Sequence, residues 1–211
     1  MKTFENFNKD WNEVLKSATW THKKSGKRYY IDFENLKKAI ENGADVDSCE
    51  SLNWGVRNNN YEVVKYLLEH EADPNHRTNN NDWSIISSSI LDIHTLFLNS
   101  EITETDIDTS IKICKLLIDY DADLSQKNFQ YNTALMLIFP YKNFSKRRIF
   151  PPENDKEETY RNIIAQYFVE YVFEHKQLNK YDEYLEFFEP FINNIEKEEI
   201  IKYKKQNEFN L

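Results

Sequence analysis

One five-residue phrase occurs three times in this chain and restricts its fold more than any other feature. It reads Gly43-Ala44-Asp45-Val46-Asp47, then Glu71-Ala72-Asp73-Pro74-Asn75, then Asp121-Ala122-Asp123-Leu124-Ser125. Each copy follows a segment of helical apolar period, over 33–42, 61–70 and 111–120. The same stop after the same helix marks a chain assembled from copies of one unit. Such a unit cannot bury its apolar face alone, so copies must stack, and contacts run mainly between neighbours.

The second unit is the clearest. A short helix is predicted at about 52–58, an Asn-rich turn at 58–60, and a longer helix carrying Val63, Val64, Leu67 and Leu68 on one face. Leu52, the run Tyr61-Glu62-Val63-Val64-Lys65-Tyr66-Leu67-Leu68 and Ala72-Asp73-Pro74-Asn75 together resemble the ankyrin repeat, a turn and two antiparallel helices of about 33 residues. The family's Thr-Pro-Leu-His box is weaker in the next units, at Trp83-Ser84-Ile85-Ile86 and Thr133-Ala134-Leu135-Met136. Its His is replaced throughout, by Asn53, Ile86 and Met136. The hydrogen bonds this His gives in the family must therefore be supplied otherwise.

The spacing of the phrase is uneven. Ala44 to Ala72 is 28 residues and Ala72 to Ala122 is 50, against a period of about 33. The deficit falls between Asp47 and Leu52. The excess falls around 96–109, where the acidic stretch 100–108 reads as a loop or as an extended first helix followed by one. The resemblance implies an all-α ankyrin-type solenoid of about four irregular repeats over residues 33–139. Residues 1–32 are expected to be an N-terminal capping helix (Phe4, Phe7, Trp11, Val14, Leu15) and a basic turn. Residues 140–211 are expected to form an irregular linker and a C-terminal helical cap, with helices at about 155–175, 180–193 and 195–206.

Composition narrows the function. Three glycines and five prolines are too few for a β-sandwich or a Gly-rich phosphate loop. A net charge of -9 disfavours nucleic acid and anionic membrane as partners. The short basic runs Lys23-Lys24-Ser25-Gly26-Lys27-Arg28 and Lys146-Arg147-Arg148 read as solvated loops within that acidic whole. Cys49 and Cys114 show neither metal spacing nor a disulfide framework, which suits a reducing, cytoplasmic setting. His70 and His76 lie six apart across Pro74, not the four that a zinc helix needs. No cofactor, metal or catalytic residue is expected.

The expected function is therefore non-catalytic binding of a protein target, inhibiting or sequestering it in the manner of a toxin-neutralising or host-factor-binding protein. An adaptor that tethers two proteins is the alternative, and an enzyme with an unrecognised site a third. In the family, partners are met by finger tips and the first helix of each unit. Carried over by position, this gives Trp54, Arg57 and Asn58 on the first helix of the second unit. It also gives Arg77, Asn79, Asn80 and Asp82 on the third finger, and Lys127, Phe129, Gln130 and Asn132 on the fourth. Residues 151–211 hold fourteen acidic against eight basic side chains, which would favour a basic partner.

Overall fold

The computed structural model describes residues 10–19, 21–22, 29–77, 83–98, 103–128, 133–139 and 154–208. Its helices come in antiparallel pairs: α1 (Trp11–Thr19) with α2 (Phe33–Glu41), α3 (Ser51–Arg57) with α4 (Tyr61–Glu69), α5 (Ile85–Leu98) with α6 (Glu104–Asp119), and α7 (Leu135–Ile138) with α8 (Asp155–Glu174). The first helices pack in one row, α1 on α3, α3 on α5 and α5 on α7; α4, α6 and α8 pack in a second. A two-residue antiparallel bridge, β1 (Thr21–His22) with β2 (Tyr29–Tyr30), joins α1 to α2. The all-helical solenoid expected from the sequence is thus the fold observed.

The core lies between the two rows. Val63, Val64 and Leu67 of α4, Ile86, Ile90 and Ile93 of α5, and Leu117 and Ile118 of α6 are all buried. Gly55 allows α3 to lie close on α4. A Cβ there would sit 3.2 Å from Val63 Cγ1 and 3.2 Å from Val64 Cγ2.

The repeated phrase has a backbone reason. After α2, α4 and α6 the chain enters the left-handed region at Gly43 (φ 94), Glu71 (φ 68) and Asp121 (φ 63). The next amide folds back onto the last turn: Ala44 N to Ala39 O, Ala72 N to Leu67 O and Ala122 N to Leu117 O, 3.0 Å each. These bonds satisfy helix carbonyls that would otherwise be orphaned. The Asp then makes an Asx turn: Asp45, Asp73 and Asp123 accept through Oδ1 from the amides of Asp47, Asn75 and Ser125 at 3.1, 2.8 and 2.9 Å. α8 ends in the same way without the phrase. Lys176 is left-handed (φ 55), and the Gln177 amide donates to Val172 O at 2.9 Å.

Of the stretch 100–108, read as a loop or as an extended first helix followed by one, residues 104–108 form the start of the second helix of the unit. Thr103 and Asp106 form a reciprocal capping box, so α6 begins at Glu104 rather than at 111. Its 16 residues, with 14 in α5, exceed the 9 and 7 of α4 and α3. The extra residues are therefore spent mainly on longer helices; 99–102 lie outside the described residues.

Beyond α8 the expected α-helix at 180–193 is a 3₁₀ helix, Asp182–Phe191. Its apolar residues recur every third position (Leu185, Phe188, Phe191 and Tyr181, Tyr184, Phe187), which three residues per turn bring to one side. That side meets Phe139, whose ring centroid lies 6.2 Å from Phe187, 5.7 Å from Phe188 and 5.7 Å from Phe191. The last helix is α9, Asn194–Glu208. Phe4, Phe7 and both basic runs fall outside the described residues.

Candidate protein-binding face

Units are tied together by side chains of the repeated phrase. Asn12 Oδ1 accepts from the Asp45 amide at 2.8 Å, and both Asp47 carboxylate oxygens accept from the Asp73 amide at 3.2 Å. Asn75 Oδ1 accepts from the Asp123 amide at 2.7 Å. The first bond closes the α1–α2 pair, and the other two each give the next unit's amide an acceptor from the unit before it. Burial pushes the Asp47 carboxyl up, against the opposing pull of the Asp73 amide.

The Asn-rich turn adds a second link. Asn58 donates to Trp54 O, Asn60 caps α4 by accepting from Val63 N, and Asn59 sits between them at φ 51. Asn59 reaches α6, donating to Asp106 O at 2.8 Å and accepting from Ser110 Oγ at 2.9 Å. These bonds tie the second unit to α6 of the next. Asn53, at one of the His positions, is not part of them, and its Oδ1 is buried without a hydrogen-bond partner.

These ties sort the sequence-predicted site residues. Arg77 belongs to the scaffold: its Nε donates to Gln126 Oε1 at 2.9 Å and its Nη1 to Lys127 O at 2.7 Å. Lys127 is exposed, with its carbonyl held by Arg77. Trp54, Arg57 and Asn58 are brought together at the end of α3. The Arg57 guanidinium stands 5.5 Å from the centre of the Trp54 ring. Asn79, Asn80, Asp82, Phe129, Gln130 and Asn132 lie outside the described residues.

Trp54 also closes an open groove of about 500 Å³ between α1 and α3. Its other walls are Asn12, Glu13 and Lys16 of α1 and Ser48, Cys49 and Glu50 of the connecting loop. Cys49 is half-buried there, with Sγ 3.0 Å from Ser51 Oγ. On the other flank of α3, Asp92 of α5 is pushed up to about 6 by burial, partly relieved by the Arg57 charge. The groove thus sets the Trp54 ring, with Arg57 beside it, among Glu13, Lys16 and Glu50. Sequence reasoning missed Glu13, Lys16, Glu50 and Asp92, which lie on other elements than Trp54 and share no motif with it.

The remaining chemistry points to structure. His70 Nδ1 lies 2.8 Å from Tyr66 O and its ring stacks on Tyr66. Cys114 is buried beside Ser89 Oγ, and its thiol is pushed up to about 12. Among the described residues, no helix is long and apolar enough to cross a membrane.

Compared with known proteins, residues 52–79 match the model of the ankyrin repeat. No curated protein and no solved structure matches the chain. The matched stretch holds nearly all of α3, the Asn turn, α4 and the stop at Ala72-Asp73-Pro74-Asn75, and over these residues the chain is similar to an ankyrin repeat.

Proposed function

We propose that this chain binds a protein target through its first-helix face and inhibits or sequesters it. The observation that carries the reading is the groove beside Trp54, where an indole, a guanidinium and an open cleft meet on the repeat that matches the family. A Trp flanked by Arg at the edge of a cleft is the composition of an interface centre, where few residues carry most of the affinity. Glu13 and Glu50 beside Trp54 suit a partner that presents Lys or Arg around an apolar anchor. The finger residues Asn79, Asn80, Asp82, Phe129, Gln130 and Asn132 remain candidates through the resemblance to the repeat alone.

Affinity capture with mass spectrometry at moderate salt tests the reading. The wild-type chain is compared with Trp54→Ala and with a finger variant (Asn80, Phe129 and Gln130 to Ala). One partner in fixed proportion, lost in Trp54→Ala, is the expected result. The purified pair should also show loss of the target's activity. An unchanged set of partners in both variants would overturn the first-helix face as the binding surface. Two proteins held at once, with only one released by Trp54→Ala, would replace inhibition by tethering.

A further inference from the structure

The outer face of α9 exposes apolar side chains beside ordered charges. α9 begins with its own cap: Asn193 Oδ1 accepts from the amides of Ile195 and Glu196, and the Glu196 carboxylate accepts from the Asn193 amide at 2.7 Å. Its inner side rests on the molecule through Ile200, 7% exposed, and Tyr203. Ile195 and Ile201 are instead 77% and 52% exposed. Glu198, Ile201, Lys202, Lys205 and Gln206 line a shallow groove along the helix. Their spacing of three, four, seven and eight residues places them on one stripe, opposite Ile200 and Tyr203.

The charges along this stripe are ordered. Of the groove-lining side chains, the acidic Glu198 lies in the first half of the helix and the basic Lys202 and Lys205 lie in the second. A second α9 laid parallel would set Glu198 against Glu198 and Lys205 against Lys205. Laid antiparallel about a point between Ile201 and Lys202, it sets Glu198 against Lys205 twice, once at each end. The two Ile201 side chains then meet at the two-fold axis, covered by the aliphatic stems of the two Lys202 residues. A patch that is complementary to itself under a two-fold rotation is what an isologous dimer requires.

We infer that the outer face of α9 docks a second copy of this chain in an antiparallel helix pair, with Ile201 at the axis and Glu198–Lys205 pairs closing the ends. One helix on each side buries less than the roughly 1,200 Å² of a standard stable interface, so the association is weak and concentration-dependent. The dimer carries two copies of the first-helix face, so a target with two epitopes would gain from avidity.

Sedimentation equilibrium of the full chain, from about 20 μM to about 1 mM, is the test. The weight-average mass should rise from 25.4 kDa toward twice that value. Ile201→Asp, Glu198→Lys and Lys205→Glu should each abolish the rise, with the helical circular dichroism unchanged. A mixture of the Glu198→Lys and Lys205→Glu chains should restore it, because both end pairs are again of opposite charge. A wild-type chain that stays monomeric at 1 mM overturns the inference and leaves the face to a different protein. A dimer that survives all three substitutions also overturns it, because its interface then lies elsewhere.

Discussion

The backbone amide of Asp73 is held by both carboxylate oxygens of Asp47, 26 residues earlier and one unit back. The bond crosses the seam where the chain is five residues short of the family period. Asp47→Ala removes the acceptor and leaves the amide to water, at an expected loss of about 1 kcal/mol. Asp47→Asn keeps one acceptor oxygen and should lose less than half of that. Urea unfolding of the three proteins side by side checks the order.

Asp92 should report on pH. Its folded carboxyl is raised to about 6, above the ordinary value of 3.8, because burial opposes ionisation more than Arg57 favours it. The folded state therefore holds this proton more tightly than the unfolded chain. The contribution of Asp92 to stability is greatest below pH 3.8 and declines as pH rises toward 6. Asp92→Asn should raise stability at pH 7 by about 2 kcal/mol, and the gain should vanish near pH 4. An equal gain at both pH values would show that the carboxyl is not ionising in a buried place.

Glu157, His94 and Arg161 form a buried ionic cluster between α5, α7 and α8. Glu157 is fully buried; its Oε1 accepts from Arg161 Nε at 2.9 Å and from Arg161 Nη2, and lies 3.0 Å from His94 Nδ1. Arg161 Nη1 continues to Leu137 O at 3.0 Å. Breaking one side leaves a buried charge uncompensated, so Glu157→Ala should cost about 3–5 kcal/mol. The measurement is denaturant unfolding, with hydrogen exchange showing lost protection first in α8.

Arg77→Ala separates scaffold from interface. The guanidinium already holds Gln126 and the Lys127 carbonyl, so the variant should lose about 1–3 kcal/mol of stability. Target affinity, measured by calorimetry well below the unfolding temperature, should change far less than in Trp54→Ala. A larger affinity loss in Arg77→Ala would assign Arg77 to the interface instead.

Gly55 is set by space rather than by backbone angle. Each valine already lies 3.2 Å from where a Cβ would be, so Gly55→Val overpacks the α3–α4 crossing and should cost about 2 kcal/mol. Gly43→Ala meets no atom within 4 Å but must hold φ 94, and about 1 kcal/mol is the expected loss. Paired thermal melts distinguish the two.

Much of the fold was legible because its stops are chemical. The phrase names a small residue (buried at Ala72 and Ala122, half-buried at Ala44), an Asx turn and, in the first two copies, the acceptor for the next unit. The end of α8 was legible from its apolar period, expected at about 175, although Lys176 and Gln177 carry the stop geometry there without the phrase. The start of α6 was written in Thr103 and Asp106 but was outweighed by the acidity of the stretch. The 3₁₀ helix was written as a period of three and read as 3.6. Of the candidate site, Trp54, Arg57 and Asn58 were readable because one short helix carries them. Glu13, Lys16 and Asp92 were not, since only stacking brings α1 and α5 beside α3.

The bonds onto the stop amides also have a direction. Asp47 and Asn75 are acceptors that wait on the earlier unit, and the amides of Asp73 and Asp123 are the donors that arrive later. A chain emerging from a ribosome N-terminus first exposes each acceptor before the amide that needs it. Every finished unit is thus a template for the next, and assembly can proceed in the order of synthesis without waiting for the C-terminus.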